Sequence, residues 1–412
     1  MINKKFNHLF LTYDGLMDPL GKSQIIPYLK SISNSQRKIN VISFEKINNI
    51  QEEKIKIIKL DLIKNNIFWK YSKFSNKYGK IGKIYDLFKM FFSSIFFIKK
   101  NNIKIIHCRS HIPALVGFFI KKILKIKLIF DFRGFWIEER FDYKIWDKKN
   151  ILNILYSKLF KYFEIIILNN SDYIVCLTNS VKPYINKIVK NKIPIEVIPC
   201  CADYNYFKIK KNNKNKVKKI LNLRKDASII GYAGSINQIY LIKKMILFFL
   251  FLQKRDKNLI FIFVTHQTIE LKKIINKNFN KKIYNKIKIY KADRNKIPMF
   301  LSCFDLMISF IKNTFSRKAM SPTKMFEAFA MGIPFLCNKG IGDVDYILNK
   351  HKTGVVIDLK KKIYTEKHFQ LFVKCRKIKS GFIIKKTKPF YDIAFASERY
   401  NYIYNSLEYV QK

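Results

Sequence analysis

The chain has 412 residues, of which 49% are hydrophobic and 15% aromatic, and its 80 Lys and Arg outnumber 29 Asp and Glu for a formal net charge of +51. This length suggests two domains, each large enough to bury its own core. The apolar content excludes wholesale disorder, because there is enough surface to bury despite the charge.

The positive charge is spread along the chain and comes mostly from lysine. A charge of this size suggests nucleic acid or an anionic membrane as a partner. Only ten of the 80 basic residues are arginine, however, and arginine is the residue that recognises bases and phosphates with paired hydrogen bonds. We therefore expect no nucleic-acid partner. A compositional bias toward lysine explains the charge as well as any function does.

Short β-rich runs alternate with longer helical patterns along the whole chain. In the first half, strands are predicted at 8–12, 40–44, 103–107, 127–132, 173–178 and 195–199. In the second half, they are predicted at 228–233, 259–264, 287–290, 305–310, 334–338 and 354–357. Near-continuous apolar strands separated by helices are typical of parallel sheets covered on both faces. The predicted fold class is α/β, with two doubly wound, Rossmann-like domains that we expect to face each other across a cleft.

A charged, asparagine-rich stretch at 208–219 separates the two sets of strands and has no apolar periodicity. We interpret it as a linker. The predicted organisation is an N-terminal domain over 1–207, a C-terminal domain over 220–385, and a helical segment at 386–412 that packs back on the N-terminal domain.

No apolar run reaches the roughly 18 residues that a membrane-spanning helix needs, and the N-terminus has no cleavage site. The seven cysteines form no CxxC pair and are expected as reduced core thiols, so we predict a cytoplasmic protein. The segment 64–98 interleaves lysines with aromatic residues and then continues as an apolar stripe. It suits peripheral attachment to an anionic membrane; a solvated loop followed by a core-packed helix is the alternative.

Two groups of candidate site residues follow strands of the first domain. Gly15 and Gly21 lie in the loop after the first strand, where glycine allows close approach of a ligand or simply an ordinary turn. Asp131 and Arg133 place a carboxylate and a guanidinium at a strand end, for which we favour a functional role over a buried ion pair. The segment at His107 lacks a second His/Cys pair with zinc spacing, so we expect no metal site.

The strongest local pattern is the segment Ser321–Gly332, which reads as a short helix. Ser321 suits the N-cap, Pro322 the first helical position and Gly332 the C-terminal cap. Lys324 then lies in the first turn, where the helix dipole disfavours a cation unless an anion such as phosphate is bound. Glu327, one turn further on, could accept hydrogen bonds from ribose hydroxyls. The alternative is a surface helix with an ordinary Lys324 and Glu327 pair.

Two loops with paired glycines follow strands of the second domain. Gly231–Ser235 follows the strand at 228–233, and Gly340–Asp343 follows the strand at 334–338. Neither has the GxGxxG spacing of a dinucleotide site. Because parallel strands end at the same edge of a sheet, we expect both loops to converge on one edge. The glycines after the first strand allow close approach of a ligand, although a plain strand-to-helix turn would look the same.

Together these segments make the chain similar to retaining glycosyltransferases of family 4, which have the GT-B fold. The resemblance spans nearly the whole chain, and its specificity comes from the order and spacing of motifs that are weak one by one. The segments that carry it are 14–24, 109–113, 131–134, 171–175, 197–203, 231–235, 321–332 and 340–343.

The resemblance implies transfer of a sugar from a nucleotide-sugar donor with retained anomeric configuration and without a bound metal or other cofactor. Asp131 and Arg133 are the implied catalytic residues, facing the acceptor or the transferred sugar. The implied donor site comprises Gly15, Gly21, Gly234, Ser235, Ser321, Thr323, Lys324 and Glu327. Lys324 and the helix N-terminus would hold the diphosphate, whose developing charge needs fixed donors when no metal supplies them.

Two positions depart from the family pattern. The family has a second glutamate eight residues before the position of Glu327, where this chain has Ala319. The cation expected after Gly234 is also absent from the sequence 235–240, and Arg317 or Lys318 is the candidate replacement.

The sequence therefore predicts a glycosyltransferase that acts on a glycan or lipid-linked acceptor at the cytoplasmic face of the membrane, in the synthesis of bacterial surface polysaccharide or lipopolysaccharide. Two alternatives stay open. One is a GT-B-fold sugar-nucleotide epimerase, and the other is a non-catalytic basic protein that binds nucleic acid or membrane.

Overall fold

The computed structural model describes residues 6–47, 50–75, 79–210, 213–359 and 364–409. The chain divides into two compact units. The first comprises Met1–Pro199 and Ile393–Lys412, and the second comprises Cys200–Asp392.

The first unit is a seven-stranded parallel sheet with the order β3-β2-β1-β4-β5-β6-β7. Its strands are β1 (Phe6–Thr12), β2 (Arg37–Glu45), β3 (Ile67–Lys73), β4 (Ile105–Arg109), β5 (Lys127–Phe132), β6 (Tyr173–Cys176) and β7 (Ile195–Val197). Its helices are α1 (Pro19–Gln24), α2 (Ile26–Ile32), α3 (Glu52–Lys64), α4 (Gly79–Asn101), α5 (His111–Leu124), α6 (Trp136–Asp142), α7 (Ile151–Asn170) and α8 (Lys182–Ile188).

The second unit is a six-stranded parallel sheet with the order β10-β9-β8-β11-β12-β13. After helix α9 (Asn213–Ile220) its strands are β8 (Ser228–Ala233), β9 (Leu259–Val264), β10 (Ile287–Tyr290), β11 (Leu306–Ser309), β12 (Phe335–Asn338) and β13 (Gly354–Ile357). Its other helices are α10 (Ile242–Gln253), α11 (Thr268–Asn278), α12 (Ile297–Leu301), α13 (Thr323–Ala330), α14 (Val344–His351), α15 (Glu366–Arg376) and α16 (Ser380–Tyr391). The last helix, α17 (Ile393–Tyr409), returns to the first unit.

The predicted fold class is confirmed, because both sheets are parallel and each is covered by helices. Every residue of β4 is buried, as are nearly all residues of β9. Phe261 and Phe263 of β9 pack with Phe249 of α10 in the core of the second unit. Strands buried on both faces read as continuous apolar runs, which is why the sequence predicts most of them.

Strand β3 is the one that the sequence analysis misses. It forms the edge of the first sheet, and its side chains alternate between buried and exposed. Trp69 is buried and donates a hydrogen bond to Ser43 Oγ at 2.8 Å, whereas Lys70 is exposed. The predicted membrane segment 64–98 therefore divides into this strand and part of helix α4, and its residues 76–78 lie outside the described part of the chain.

The boundary between the units differs from the predicted linker at 208–219. Within that stretch residues 211–212 lie outside the description, and the rest includes most of helix α9. Ala202 pairs with Asp392, and the Tyr204 hydroxyl donates to Thr387 Oγ1 at 2.9 Å, so the chain from Cys200 onward belongs to the second unit. This boundary is set by contacts between residues almost 200 positions apart. Such contacts leave no trace in the local composition, from which the linker is predicted.

Helix α17 packs against α2, and a buried ion-pair cluster joins it to strands β1 and β2. Arg37 donates two hydrogen bonds to the Glu408 carboxylate, and His8 lies 2.6 Å from the same group. Burial alone would raise the pKa of Glu408, but His8 and Arg37 outweigh it and lower that pKa to about 2. In the described part of the chain, no helix has the length and apolar character needed to cross a membrane.

Candidate functional site

In the second unit, the strand order reverses between β8 and β11, and ligands of open parallel sheets bind where such strands end. The loop at Gly234 and Ser235 follows β8 at this point. Gly234 has φ +142°, and a Cβ atom added there would lie 2.0 Å from Lys324 Cε. Glycine is therefore required for the close approach of this loop to Lys324.

Helix α13 begins one residue later than predicted, so Pro322 is not its first helical residue. Its N-cap is Pro322, its first residue is Thr323, and the predicted N-cap role of Ser321 is wrong. The Ser321 hydroxyl instead accepts a hydrogen bond from the Cys200 backbone N–H at 3.0 Å. Gly332 has φ +62° just past the end of the helix, as the sequence predicts.

Lys324 lies in the first turn of α13 and is held by an aromatic side chain. Its Nζ donates to the Tyr240 hydroxyl at 2.6 Å and lies 3.8 Å from the centre of the same ring. Tyr240 follows the Gly234 loop, at the end of the stretch in which the sequence shows no cation. The sequence analysis misses this residue, since nothing local marks a tyrosine as the partner of a lysine 84 residues away.

Glu327 forms an ion pair with Arg294 at 3.5 Å, and its side chain is 12% exposed. Because Lys324 is directed to Tyr240 and Glu327 to Arg294, the ordinary i,i+3 pair is not the main contact of either residue. Burial raises the pKa of Glu327, although Arg294 and Lys324 oppose the shift. A buried carboxylate with one cation beside it keeps lone pairs for further hydrogen-bond donors.

Arg294 is a second residue that the sequence analysis misses. It lies just before α12, and its guanidinium is stacked over the rings of Tyr206 and Phe207 at 5.6 and 5.7 Å. The Tyr206 hydroxyl donates to the Arg294 carbonyl at 2.9 Å. This cluster brings an arginine beside Glu327, on the helix that carries Lys324.

The predicted replacement cations occupy a turn before α13. Arg317 is 2% exposed, and its Nε donates to Ser316 Oγ at 3.1 Å. Gly342 N–H donates to the Arg317 carbonyl at 2.9 Å, which brings the predicted 340–343 loop against this turn. Lys318 is exposed, with its Nζ over the Phe315 ring. Ala319, in the place of the family's first glutamate, is buried.

In the first unit, Asp131 is buried within β5 and has basic side chains around it. Its carboxylate lies 3.5 Å from Arg133 Nη1 and 3.8 Å from His107 Nε2. Burial would raise the pKa of Asp131, but Arg133 and His107 outweigh it and lower that pKa. His107 in turn shares a hydrogen bond with the Tyr404 hydroxyl. The side chain of Asp131 is 3% exposed and that of Arg133 is 12% exposed. The buried carboxylate therefore holds the more exposed guanidinium in place.

Gly15 and Gly21 are both buried, and their lack of a side chain serves internal packing. A Cβ atom at Gly15 would lie 2.3 Å from Glu45 Oε2, and one at Gly21 would lie 2.2 Å from the Gly15 carbonyl oxygen. The Glu45 carboxylate accepts hydrogen bonds from the Leu16 and Met17 N–H groups. The loop after β1 is thus held in one conformation at the edge where strand order reverses between β1 and β4.

A buried network centred on Glu164 lies beside the start of α5. The carboxylate bonds His111 Nε2 at 2.7 Å, the Tyr184 hydroxyl at 2.7 Å and Lys161 Nζ at 2.9 Å. Burial alone would raise the pKa of Glu164, but His111 and Lys161 have the larger effect and lower that pKa to about 2.

A cavity of about 560 Å³ opens elsewhere on the second unit. Its lining includes Ser228, Asp305 and Pro334, which lie at or just before the starts of β8, β11 and β12. Lys214 in its wall already pairs with Asp305 at 2.7 Å. Ligands of parallel sheets bind at the opposite, carboxyl edge, so we do not place the donor in this cavity.

Solved structures share this architecture over nearly their whole length. HepE from Anabaena in complex with UDP and glucose has a TM-score of 0.69 at 14% identity, with 97% of this chain and 100% of that chain covered. Sucrose-phosphate synthase from Thermosynechococcus elongatus has 0.72 at 11% identity, covering 99% and 100%. WaaG, a glycosyltransferase involved in lipopolysaccharide biosynthesis, has 0.64 at 12% identity, covering 96% and 99%. The fold is GT-B.

Residues 66–206 match the family Glycosyltransferase Family 4. They run from the β3 edge of the first unit into the start of the second, and they include Asp131, Arg133 and the Glu164 network. A search of curated proteins finds no match. The family match and the GT-B fold together indicate that the protein is a glycosyltransferase.

Proposed function

We propose that the protein transfers a sugar from a nucleotide-sugar donor to a glycan or lipid-linked acceptor with retention of configuration. The observation that carries this proposal is the position of Lys324, in the first turn of α13 and against the Gly234 loop at the carboxyl edge of the second sheet. A cation there opposes the helix dipole, and an anion bound by the same helix turn removes that penalty.

The departing nucleoside diphosphate is the group that develops charge in this reaction. Lys324 Nζ has three N–H groups, so it can keep its bond to Tyr240 and still donate to phosphate oxygens. The backbone N–H groups at the start of α13, at Thr323 and Lys324, are further donors. Fixed donors that need no reorganisation are the expected main catalytic contribution, and no metal is part of this proposal.

Glu327 and Arg294 complete the proposed donor site. The Glu327 carboxylate would accept hydrogen bonds from the ribose hydroxyls, and Arg294 would hold it in place while adding positive charge near the phosphates. Ser235 is exposed at the end of the Gly234 loop and is a candidate for further hydrogen bonds. Arg317 and Lys318 remain predicted contributors of charge from the neighbouring turn.

In the first unit, we assign the acceptor or transferred sugar to Arg133. Asp131 fixes Arg133 by their ion pair and by burial, so its role in catalysis runs through the arginine. We further propose that the reaction takes place at the cytoplasmic face of a membrane, in the synthesis of surface polysaccharide or lipopolysaccharide. The structural similarity to WaaG, which is involved in lipopolysaccharide biosynthesis, supports the proposed pathway.

The test is calorimetric titration of UDP and GDP into wild type and Lys324→Ala, with Lys350→Ala as the matched control. Lys350 is an exposed lysine that also lies over an aromatic ring, that of Tyr346. Because Lys324→Ala loses a charge-assisted contact to phosphate, we expect its nucleotide affinity to fall by roughly tenfold or more, and that of the control to stay unchanged. Equal affinity in all three proteins would remove Lys324 from the donor site.

Product analysis completes the test of the reaction. Incubation with a nucleotide sugar and an acceptor should give a glycoside whose anomeric configuration, read by NMR, matches that of the donor. Conversion of the donor to an isomeric nucleotide sugar without acceptor would identify an epimerase instead.

A further inference from the structure

One face of the first unit exposes apolar side chains on three adjacent helices. Helix α5 packs against α4 on one side and against α7 on the other, and the Phe119 and Phe163 rings meet between α5 and α7. On α4, six large apolar residues recur at helical spacing and are between 54% and 75% exposed: Ile81, Ile84, Tyr85, Phe88, Phe92 and Phe96.

Helix α4 is apolar on its inner side as well, where Met90, Phe97 and Ile98 are buried. Large apolar residues on the outer as well as the inner side of a helix are typical of a core or a membrane environment, yet this helix lies on the surface of the unit. Helix α7 repeats the pattern with exposed residues that are 40% to 71% accessible: Ile151, Leu152, Leu155, Leu159, Tyr162 and Ile165. Ile123 of α5 lies between the two helices and is 60% exposed.

The exposed charges carried by these three helices have one sign. The acidic residues of α4, α5 and α7 are Asp86 and Glu164, and both are buried. Among the side chains of these helices whose burial is described, the exposed charged ones are all lysines: Lys83, Lys99, Lys100, Lys122 and Lys158.

We propose that the surface formed by α4, α5 and α7, the α4–α5–α7 face, binds an anionic lipid bilayer. Exposed Phe, Leu and Ile side chains gain by entering the boundary between headgroups and acyl chains, and tyrosines are favoured at that depth. Lysines around them reach the anionic headgroups while their stems stay in apolar surroundings. The proposal corrects the segment suggested by sequence, because β3 lies in the sheet whereas α5 and α7 join α4.

A second copy of the chain fits this face less well. A two-fold dimer would place the lysines of one copy against those of the other without exposed acidic partners, and like charges at an interface are repulsive. An anionic bilayer supplies the missing negative charge.

Helix α3 provides an internal control because its exposed apolar residues have acidic neighbours. Ile57, Leu60 and Ile63 are exposed, but the same helix carries Glu52, Glu53 and Asp61. Asp61 pairs with Lys30 of α2, so α3 lies beside the helix against which α17 packs. We expect no bilayer binding by this surface.

The experiment is co-sedimentation of the full chain with vesicles of phosphatidylcholine, alone or mixed with phosphatidylglycerol. Wild type is expected to bind the mixed vesicles and to be released by salt, because screening weakens the lysine contacts. Phe92→Glu and Leu155→Glu should each lower binding by about tenfold. Neutralising Lys83, Lys122 and Lys158 to Gln should lower it about fivefold for each lysine.

Leu60→Glu on α3 is the matched control and should bind as wild type does. All substituted side chains are exposed, and an unchanged thermal melt and UDP titration would show that fold and nucleotide site are intact. Equal binding by wild type and both Glu variants would overturn the proposal. A wild-type dimer that Phe92→Glu converts to a monomer, with no vesicle binding, would assign the face to a second copy instead. The face lies in the first unit, so its failure leaves the proposed nucleotide site untouched, and the reverse also holds.

Discussion

The Tyr240 hydroxyl accepts a 2.6 Å hydrogen bond from Lys324 Nζ, although the two residues are 84 positions apart. The ammonium also lies over the rings of Tyr240 and Tyr232, so electrostatic attraction to both rings helps to hold it. Lys324 lies in the first turn of α13, and this contact directs its side chain past the Gly234 loop toward Tyr240. A flexible lysine is thereby oriented before any phosphate binds.

Tyr240→Phe tests this positioning. The variant keeps the ring but removes the hydroxyl that orients Lys324, and a hydrogen bond to a charged group contributes about 1.5 to 3 kcal/mol. Part of that energy supports the productive orientation, so we expect UDP affinity to fall by roughly threefold to tenfold. Calorimetric titration measures it, with Tyr346→Phe as a control at an exposed tyrosine beside Lys350. Unchanged UDP affinity in Tyr240→Phe would contradict a positioning role.

Gly234→Ala should remove nucleotide binding while leaving the fold in place. The added methyl group would lie 2.0 Å from Lys324 Cε, and the backbone angle of φ +142° is one that residues other than glycine avoid. The strain costs about 1 to 3 kcal/mol, and displacement of Lys324 relieves the clash. Gly381→Ala is the control, since a Cβ atom there has no neighbour within 4 Å. Thermal melts and UDP titration of both variants separate stability from binding.

Acid should destabilise the first unit through Glu164. Its pKa falls from 4.5 in the unfolded chain to about 2 in the folded one. A carboxylate with a lowered folded-state pKa stabilises the fold at pH above the unfolded value, and this contribution is lost as pH falls from about 4.5 to about 2. It amounts to roughly 3 kcal/mol at neutral pH.

Glu164→Gln should therefore be less stable than wild type at pH 7 and should lose less stability on acidification. Urea unfolding followed by tryptophan fluorescence reports on this unit, because Trp69, Trp136 and Trp146 all lie in it. Glu53→Gln, at an exposed position of α3, is the control and should keep the wild-type pH dependence. Parallel pH curves for wild type and Glu164→Gln would be incompatible with the lowered pKa.

Glu408→Ala should loosen the C-terminal helix. The substitution leaves Arg37 buried without its carboxylate, and breaking a buried pair costs about 3 to 5 kcal/mol. Tryptophan-detected urea unfolding should show that loss, whereas Glu398→Ala, at an exposed site of the same helix, should change little. A loss below about 1 kcal/mol for Glu408→Ala would mean that α17 contributes little through this cluster.

Much of the fold is readable from the sequence because buried parallel strands are locally encoded. The predicted bounds of β5, β8, β9, β10 and β13 coincide with the observed ones. Strand β3 escapes prediction because it is an edge strand, in which lysines occupy two of the three exposed positions and interrupt the apolar run. Its mixture of lysines and aromatic residues resembles a membrane segment in the sequence, but the structure buries Trp69 in the core of the first unit.

The candidate site divides in the same way. The sequence alone identifies helix α13, the cation in its first turn and the glycine that ends it, since helix caps and dipoles act within a few residues. Tyr240 and Arg294 come into the site only by tertiary packing. Ser321 does not cap the helix, and its hydroxyl accepts a hydrogen bond from the Cys200 N–H instead. The net charge of +51 follows from composition, whereas only the folded surface shows which helices carry exposed lysines and exposed apolar side chains but no exposed acidic residue. Interactions between neighbouring residues can be predicted from the local sequence, whereas contacts between residues far apart in the sequence depend on how the whole chain packs.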